Sequence, residues 1–327
     1  MAAVRPEPRP SAVPAMMPGT VGAVAVASKK RRSANRPVWM EEPSLFIKIM
    51  KAVALISIVF VTLFPMIYVV AVSFSSAKDV IGGGLVLFPT NPNLDAYRAI
   101  FYGGVVTRAL WVSTGVTLVG TLLQMVFTTT MAYGLSKPEV PGSRFALFLV
   151  LGALLFSPGL IPSYLLVKEL NMIDTYAALI LPGLIGAFNL IVIRNFFMNL
   201  PQELLDAARV DGANDMQVFF RIVLPLSKAV LAVVALFYGV GIWNSFFNAI
   251  LYLNDSTMWP IQVVLRQYVL MGSSLTSAAQ FDPSQPPPPP DTIKMAIVVV
   301  ATVPILIVYP FLQKYFTKGV LTGAIKG

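Results

Sequence analysis

VALISIVFVTLFPMIYVVAVSF, residues 53–74, is a stretch without a single charged residue in a chain of 327 residues. A helix of about 20 such residues crosses the hydrocarbon core of a bilayer. Counted together, six windows of the chain are uncharged and long enough to span: 52–77, 109–136, 145–167, 175–193, 229–254 and 295–313. Because backbone groups in lipid must be hydrogen-bonded within the protein, we predict an all-α membrane protein with six transmembrane helices.

The composition supports this class and excludes several kinds of functional site. Hydrophobic residues make up 56% of the chain and charged residues only 12%, against roughly 25% charged residues in soluble domains. The chain contains no cysteine and no histidine, which excludes disulfides, thiol nucleophiles, Cys/His metal sites and histidine proton relays. The predicted spans also lack an acid–base pair, so we expect neither a metal site nor an enzyme.

Basic residues are distributed unevenly between the two sides that six spans would define. Of the 24 Lys and Arg residues, 18 lie on the side of the two termini and six on the other side. Basic residues favour the cytoplasmic side, so we predict a multi-pass membrane protein with both termini cytoplasmic. The basic run at 29–36 fits an anchor near anionic headgroups better than a nucleic-acid site.

Composition also divides the chain along its length. Residues 1–43 are rich in Pro and Arg and are predicted to form a disordered cytoplasmic tail, followed by a six-helix membrane domain over 44–327. A long outer segment, 255–294, contains five consecutive prolines at 286–290. Such a run favours a stiff polyproline II spacer, and recognition by a partner is the alternative.

One charged, amphipathic insert interrupts the apolar sequence: ELLDAARVDGANDMQVFFRIVLPLSK, residues 203–228. We expect a first helix that starts near Asn199 and Pro201, because a polar cap and an early proline suit the unpaired N–H groups there. Gly212 should end this helix, since glycine enters the left-handed conformation at little cost. Asn214 can cap a second helix, which Pro225 ends or kinks.

The apolar residues of the insert allow two interpretations. Leu204, Ala207, Ala208 and Val210 would give the first helix a small-residue apolar side, and Met216, Phe219, Phe220 and Val223 would give the second one apolar face. An amphipathic helix in the headgroup layer would have this periodicity. A rigid knob that fits into a partner's groove would also account for the two caps and the turn.

The insert resembles the EAA loop of binding-protein-dependent ABC importer permeases. That motif is E-A-A, three residues, G, nine residues, I, one residue and L-P, and this chain matches its spacing with Asp in the place of Glu. The matching residues are Asp206, Ala207, Ala208, Gly212, Ile222, Leu224 and Pro225, with Glu203 one helical turn earlier. The resemblance implies that the loop, within 199–228, docks on a cytoplasmic ATPase and couples it to transport.

Two longer segments are similar to the carbohydrate-importer branch of these permeases, in particular to permeases for oligosaccharides and polysaccharide fragments. They are RNFFMNLPQELLDAARVDGAND at 194–215 and YPFLQKYFTKGVLTGAIKG at 309–327, and the resemblance covers about 45–327. It implies the type I ABC importer fold in the bacterial inner or plasma membrane. It also implies a second similar permease, two cytoplasmic ATPase subunits and an extracytoplasmic solute-binding protein. The chain has no G-x-x-x-x-G-K-[ST] motif, so ATP would be bound by a partner and the chain itself needs no cofactor.

A sugar path needs hydrogen-bonding partners for hydroxyl groups and flat apolar surfaces. In the fifth window, Asn244 and Asn248 are four residues apart and are predicted to share a helix face, with Trp243 beside them. Gln124 lies in the second window and Asn189 in the fourth. Hydrogen bonds between helices are the alternative role for all of these polar residues.

Two other functions remain open at this level. A secondary, ion-coupled transporter would have a similar composition, although the absence of ionisable groups from six windows argues against proton coupling. An ABC importer permease for peptides or amino acids would share the same architecture and the same insert.

Overall fold

The computed structural model describes residues 44–82, 84–156, 158–271 and 288–324. The predicted disordered tail, 1–43, lies outside these residues, as do Pro286 and Pro287 of the proline run. The chain divides into two compact units at Ser57. The described part of the first unit, 44–57, is helical from Leu45 onward.

Every regular element in the described ranges is helical. The α-helices are α1 Leu45–Ser73, α2 Ala77–Ile81, α3 Asp95–Tyr102, α4 Val105–Ser136, α5 Ser143–Leu155, α6 Leu160–Glu169, α7 Ala177–Ile180, α8 Ala187–Met198, α9 Gln202–Val210, α10 Asp215–Val218, α11 Leu224–Leu226, α12 Lys228–Trp243, α13 Phe247–Tyr252, α14 Ile261–Met271 and α15 Pro290–Ala324. A π-helical turn, Phe219–Val223, joins α10 to α11. Short 3-10 turns occupy Leu181–Gly183 and Ser256–Met258.

Three helices have the length and apolar composition to cross a bilayer without interruption: α1, α4 and the part of α15 from Pro290 to Pro310. The number rises to five at most if each of two bent helix pairs is a single span. These pairs are Ala177–Gly183 with α8, bent by 50°, and Asp215–Leu226 with α12, bent by 81°. The remaining apolar helix, α5, has only 13 residues. The all-α class with membrane-spanning helices is therefore confirmed, whereas the count of six is not.

Three of the predicted spans, 145–167, 175–193 and 229–254, are interrupted in the structure. The first is broken between Leu155 and Leu160, where Gly159 has φ +81° after a proline that has no N–H to donate. The second breaks before α8, and the third ends at Trp243 before α13 begins. Within the hydrocarbon core, an interrupted helix is stable only where other parts of the protein hydrogen-bond the N–H and C=O groups that lose their helical partners.

The long helix α4 connects two apolar clusters in the unit that begins at Ile58. Its C-terminal half contributes Ala132 and Leu135 to a cluster with α5, α8, α12 and the segment 205–223. Its N-terminal turns contribute Val106 and Ala109 to a second cluster with α3, α14 and α15. With 32 residues, α4 is about 48 Å long at 1.5 Å per residue. One helix thus forms part of both packed regions.

Close contact between α4 and its neighbours depends on a glycine. A methyl group at Gly120 would lie 2.7 Å from Ile242 Cδ1 and 3.3 Å from Ile180 Cγ1. The absence of a side chain at this position therefore lets α12 and α7 approach the α4 backbone, as small residues do at membrane helix interfaces.

Side chains cover the backbone groups that are freed where the 175–193 segment breaks. Gln124 Nε2 donates to the carbonyl oxygen of Gly183 at 2.8 Å. The Gly186 N–H donates to the Tyr238 hydroxyl at 2.9 Å, and this hydroxyl is also 2.8 Å from Thr128 Oγ1. We call Gln124, Thr128 and Tyr238 the clasp. The clasp thus provides a hydrogen-bond partner from α4 for Gly183, before the break, and one from α12 for Gly186, after it.

Replacing Tyr238 with Phe should destabilise the protein by about 1 kcal/mol, because the half-buried Gly186 N–H would lose its hydrogen-bond partner. The free energy of unfolding of the purified protein in detergent, titrated with a denaturing detergent, measures this loss. Tyr164→Phe is the matched control, since the Tyr164 ring stacks on Tyr252 and its hydroxyl has no hydrogen-bond partner among the described residues. Equal stabilities of the two variants would contradict the role of the clasp.

Candidate functional site

The charged insert forms two helices around a tight turn, which we call the elbow, residues 202–227. The turn has Gly212 at φ +85°. The Gly212 N–H donates to the Arg209 carbonyl at 3.0 Å, and the Ala213 N–H donates to the Ala208 carbonyl at 2.9 Å. This pair of bonds is the Schellman motif, which satisfies the last carbonyls of α9. The predicted stop at Gly212 is present.

The second helix of the elbow has a capping box. Asn214 Oδ1 accepts the Gln217 N–H at 2.8 Å, and Gln217 Oε1 accepts the Asn214 N–H at 2.9 Å. The first helix begins at Gln202, close to the predicted start near Asn199 and Pro201. The predicted role of Asn199 as its polar cap is wrong, because Asn199 is the C-cap of α8 and its side chain donates to the Asn195 carbonyl at 2.7 Å. Pro201 is the residue before α9.

The inner side of the elbow is buried against the first apolar cluster. Phe219 and Val223 are buried there, together with Leu205 and Val218. The predicted single face of the second helix is wrong, because Met216 and Phe220 are 64% and 58% exposed. The π-helical turn that starts at Phe219 changes the angular spacing of side chains, so a 3.6-residue period does not continue through it.

The outer side of the elbow is both apolar and charged. On α9, Leu204, Ala207 and Val210 recur every third residue and are exposed, and Val210 reaches 87%. Of the predicted coupling residues, five are exposed and three are half-buried against the first cluster. The exposed ones are Glu203, Asp206, Ala207, Gly212 and Pro225, and the half-buried ones are Ala208, Ile222 and Leu224.

Polar contacts hold the elbow on the C-terminal end of α4. Lys137 forms an ion pair with Asp215 and lies 4.4 Å from the centre of the Tyr133 ring. The Tyr133 hydroxyl donates to the Asp215 carbonyl at 3.2 Å. From α8, Arg194 Nε donates to the Leu135 carbonyl at 2.9 Å. The ring of Tyr133 also packs 4.7 Å from that of Phe219. The elbow is thus fixed to the end of a long helix.

Sequence reasoning missed these anchoring residues. Tyr133 and Lys137 are 82 and 78 residues away from Asp215 along the chain. In the sequence, Lys137 and Arg194 are only the first charged residues after the windows 109–136 and 175–193. Contacts of this range leave no local pattern, so only the folded arrangement reveals them.

Three predicted path residues are buried or half-buried. Gln124 belongs to the clasp, and its Oε1 atom is buried without a partner among the described residues. Trp243 is 6% exposed in the second cluster, where its indole N–H donates to the Ala301 carbonyl at 3.1 Å. Asn189 is half-buried on α8. The bonds of Gln124 and Trp243 link helices within the chain.

Asn244 and Asn248 are exposed but do not lie on one helix. The prediction of a shared face is wrong, since α12 ends at Trp243 and α13 starts at Phe247. Asn244 Nδ2 donates to the Val240 carbonyl at 3.0 Å and its Oδ1 lies 3.5 Å from Gln262 Nε2. Their contact with a cargo molecule stays a prediction.

Gly212→Ala should lower the stability of the chain by about 1 kcal/mol, since an L-residue is strained at positive φ. No atom lies within 4 Å of the position that a Cβ would take, so the loss would be conformational and not steric. Gly212→Asn is the matched control, because asparagine tolerates the left-handed region better. We expect the free energy of unfolding, measured in detergent, to decrease from Gly to Asn to Ala at this position. An alanine variant as stable as the wild type would contradict the proposed strain.

The family described as "Binding-protein-dependent transport system inner membrane component" matches residues 46–322. The polygalacturonan/rhamnogalacturonan transport system permease protein YtcP of Bacillus subtilis is 49% identical over 80% of this chain and 92% of its own length. The arabinooligosaccharides transport system permease protein AraQ of Halalkalibacterium halodurans is 30% identical over 83% of this chain and 93% of its own.

A solved structure has the same fold. It is described as a bacterial ABC transporter involved in the import of the acidic polysaccharide alginate, with a TM-score of 0.79 and 29% identity. The match covers 85% of this chain and all of the solved one. The chain therefore belongs to the family of inner membrane components of binding-protein-dependent transport systems, a family of transport permeases and not of enzymes.

Proposed function

We propose that this chain is the membrane-spanning permease subunit of an ATP-driven importer for carbohydrate, with oligosaccharides or polysaccharide fragments as cargo. The names of the relatives, which refer to polygalacturonan, arabinooligosaccharides and alginate, support a saccharide cargo. Membership in a family that depends on binding proteins supports this function over an ion-coupled carrier. The saccharide names favour it over an importer of peptides or amino acids.

The elbow is the observation that carries the proposal. It is a two-helix unit with a fixed turn, an inner side packed on α4 and α8, and an outer side with exposed Leu204, Ala207 and Val210. Such a unit fits a groove of another protein. When the ATPase subunits close on nucleotide, a knob held in this way moves α4 with it, because packed elements shift as rigid bodies. Residues 199–228 are thus the proposed coupling loop of a permease domain over 44–327.

The proposed assembly contains a second permease of the same family, two cytoplasmic ATPase subunits and an extracytoplasmic solute-binding protein. ATP binds to the ATPase subunits, so this chain needs no cofactor. On α4, Leu118 and Leu122 are 66% and 64% exposed, which suits contact with lipid or with the second permease. Trp243, Asn244, Asn248, Gln124 and Asn189 stay candidates for the sugar path, and the basic tail is assigned to the membrane surface and not to nucleic acid.

Ala207→Arg should abolish coupling, because it places a long cation on the exposed side of α9 without filling the core. We expect saccharide-stimulated ATP hydrolysis and uptake by the reconstituted transporter to fall at least 10-fold, with normal insertion and normal yield of the purified subunit. Ala207→Ser, which keeps the residue small, is the matched control and should retain both activities. Wild-type uptake by the Arg variant would show that the elbow does not dock as proposed.

The energy source is tested in the same vesicles. Uptake should require ATP inside the vesicles and the presence of the ATPase subunits, and it should persist when the ion gradients are collapsed. Uptake that survives loss of the ATPase subunits and stops with the gradients would instead favour the secondary transporter.

Orientation in the bacterial inner membrane can be tested by thiol labelling, since the chain has no native cysteine. We expect an impermeant maleimide to label Lys168→Cys, in α6, from outside intact cells, and to label Glu203→Cys only after the membrane is opened. Both positions are exposed. The reverse pattern would invert the proposed topology and place the elbow outside the cytoplasm.

A further inference from the structure

A small cavity lies at the opposite end of α4 from the elbow. It is a cavity of about 170 Å³ between the first turn of α4, the turn at 256–258 and α14. The polar and aromatic residues that line it are Arg108, Ser256, Thr257, Trp259, Gln267 and Tyr268. With both termini cytoplasmic, as proposed above, this cavity faces the extracytoplasmic side. It contains none of the residues that the proposed function uses.

The walls of the cavity are held in place by hydrogen bonds. The Trp259 indole N–H donates to the Leu253 carbonyl at 3.3 Å. Where α14 begins, the Ile261 N–H donates at 2.8 Å to Ser113 Oγ, which is buried in α4. These bonds fix the indole and the start of α14 relative to α4. A ligand would therefore meet a site that is already formed, which lowers the entropic cost of binding.

The loop that leads into the cavity is also restrained. The Asp174 carboxylate accepts from Asn254 Nδ2 at 3.0 Å and from the Asp255 N–H at 3.1 Å. The hydrogen bonds from Asn254 and Asp255 lower the pKa of Asp174, so its carboxylate stays ionised at neutral pH. Asp255 in turn accepts the Thr257 N–H at 2.8 Å. Both nearby carboxylates thus have hydrogen-bond donors of their own.

Arg108 gives the cavity its charge. Its side chain is exposed, and no carboxylate of the described residues lies within the 4 Å of an ion pair with it. A guanidinium binds carboxylates through two parallel N–H bonds, which a neutral hydroxyl cannot match. Gln267 and Thr257 supply donors and acceptors suited to hydroxyl groups. Burial raises the pKa of Tyr268, which keeps its hydroxyl protonated.

We propose that this cavity binds one carboxylate-bearing sugar residue, a uronate, with Arg108 on the carboxylate and the Trp259 ring against the apolar face of the sugar. This inference rests on the proposed function and deepens it by naming the class of saccharide. The size of the cavity limits it to a single residue of a chain. A dissociation constant on the order of 1 mM would orient an incoming oligomer and still release it.

Direct binding to the assembled transporter, without the solute-binding protein, tests the proposal. Galacturonate is titrated against the complex in nanodiscs while tryptophan fluorescence is recorded. We expect a saturable change that disappears in Trp259→Phe and a much weaker response to galactose, which has the same ring without the carboxylate. Arg108→Gln should raise the dissociation constant at least 10-fold, and Arg108→Lys should raise it less. Lys168→Gln, which removes an exposed cation outside the cavity, should leave it unchanged.

Three results would overturn the proposal. They are an unchanged dissociation constant in Arg108→Gln, equal responses to galactose and galacturonate, and a loss of docking by the solute-binding protein in Arg108→Gln while galacturonate still binds. The last result would make the cavity a protein contact. ATP-dependent uptake of oligosaccharide by the wild type is measured separately, so a failure of the import function is distinguishable from a failure of this site.

Discussion

The attachment of the elbow to the C-terminal end of α4 is the interaction on which the other features depend. Asp215 receives an ion pair from Lys137 and lies 3.8 Å from Arg209 Nη2, while its carbonyl accepts from Tyr133. Exposed ion pairs alone stabilise a protein by less than about 1 kcal/mol. Here they act beside buried Phe219 and Val223, so the apolar contact supplies most of the stability and the polar contacts fix the orientation.

The breaks in the apolar helices are the second constraint. The hydrocarbon core contains no water to hydrogen-bond unpaired backbone groups. A bent segment is therefore stable there only if side chains of neighbouring helices form those hydrogen bonds. The clasp meets this requirement with Gln124 on one side of the break and Tyr238 on the other. Because Gln124 and Thr128 belong to α4, the helix that holds the elbow also holds the broken segment. A movement of the elbow would therefore be transmitted through α4 to α8 and α12.

The sequence predicts the parts of this fold that depend on local patterns. The uncharged windows at 52–77, 109–136 and 295–313 correspond to long helices, and Gly212, Asn214 and Asp206–Pro225 mark the elbow. Two of the three breaks also have local signals, the Pro-Gly pairs Pro158–Gly159 and Pro182–Gly183. A window defined only by the absence of charged residues does not take such pairs into account. The break after Trp243 has neither proline nor glycine. The anchors of the elbow and the cavity at Arg108 depend on contacts between distant segments, so no local pattern could predict them.

The distance between spin labels on the elbow and on the end of α4 tests the central claim most directly. Labels at Val210, on the outer side of α9, and at Glu139, in the exposed loop after α4, would report this distance in the assembled transporter. We predict the same distance distribution in the nucleotide-free and the ATP-trapped states, while the distance from Val210 to a label on the ATPase subunit is also conserved. A shift of the Val210–Glu139 distance by several ångströms between the two states would show that the elbow swings independently of α4, and would contradict the account.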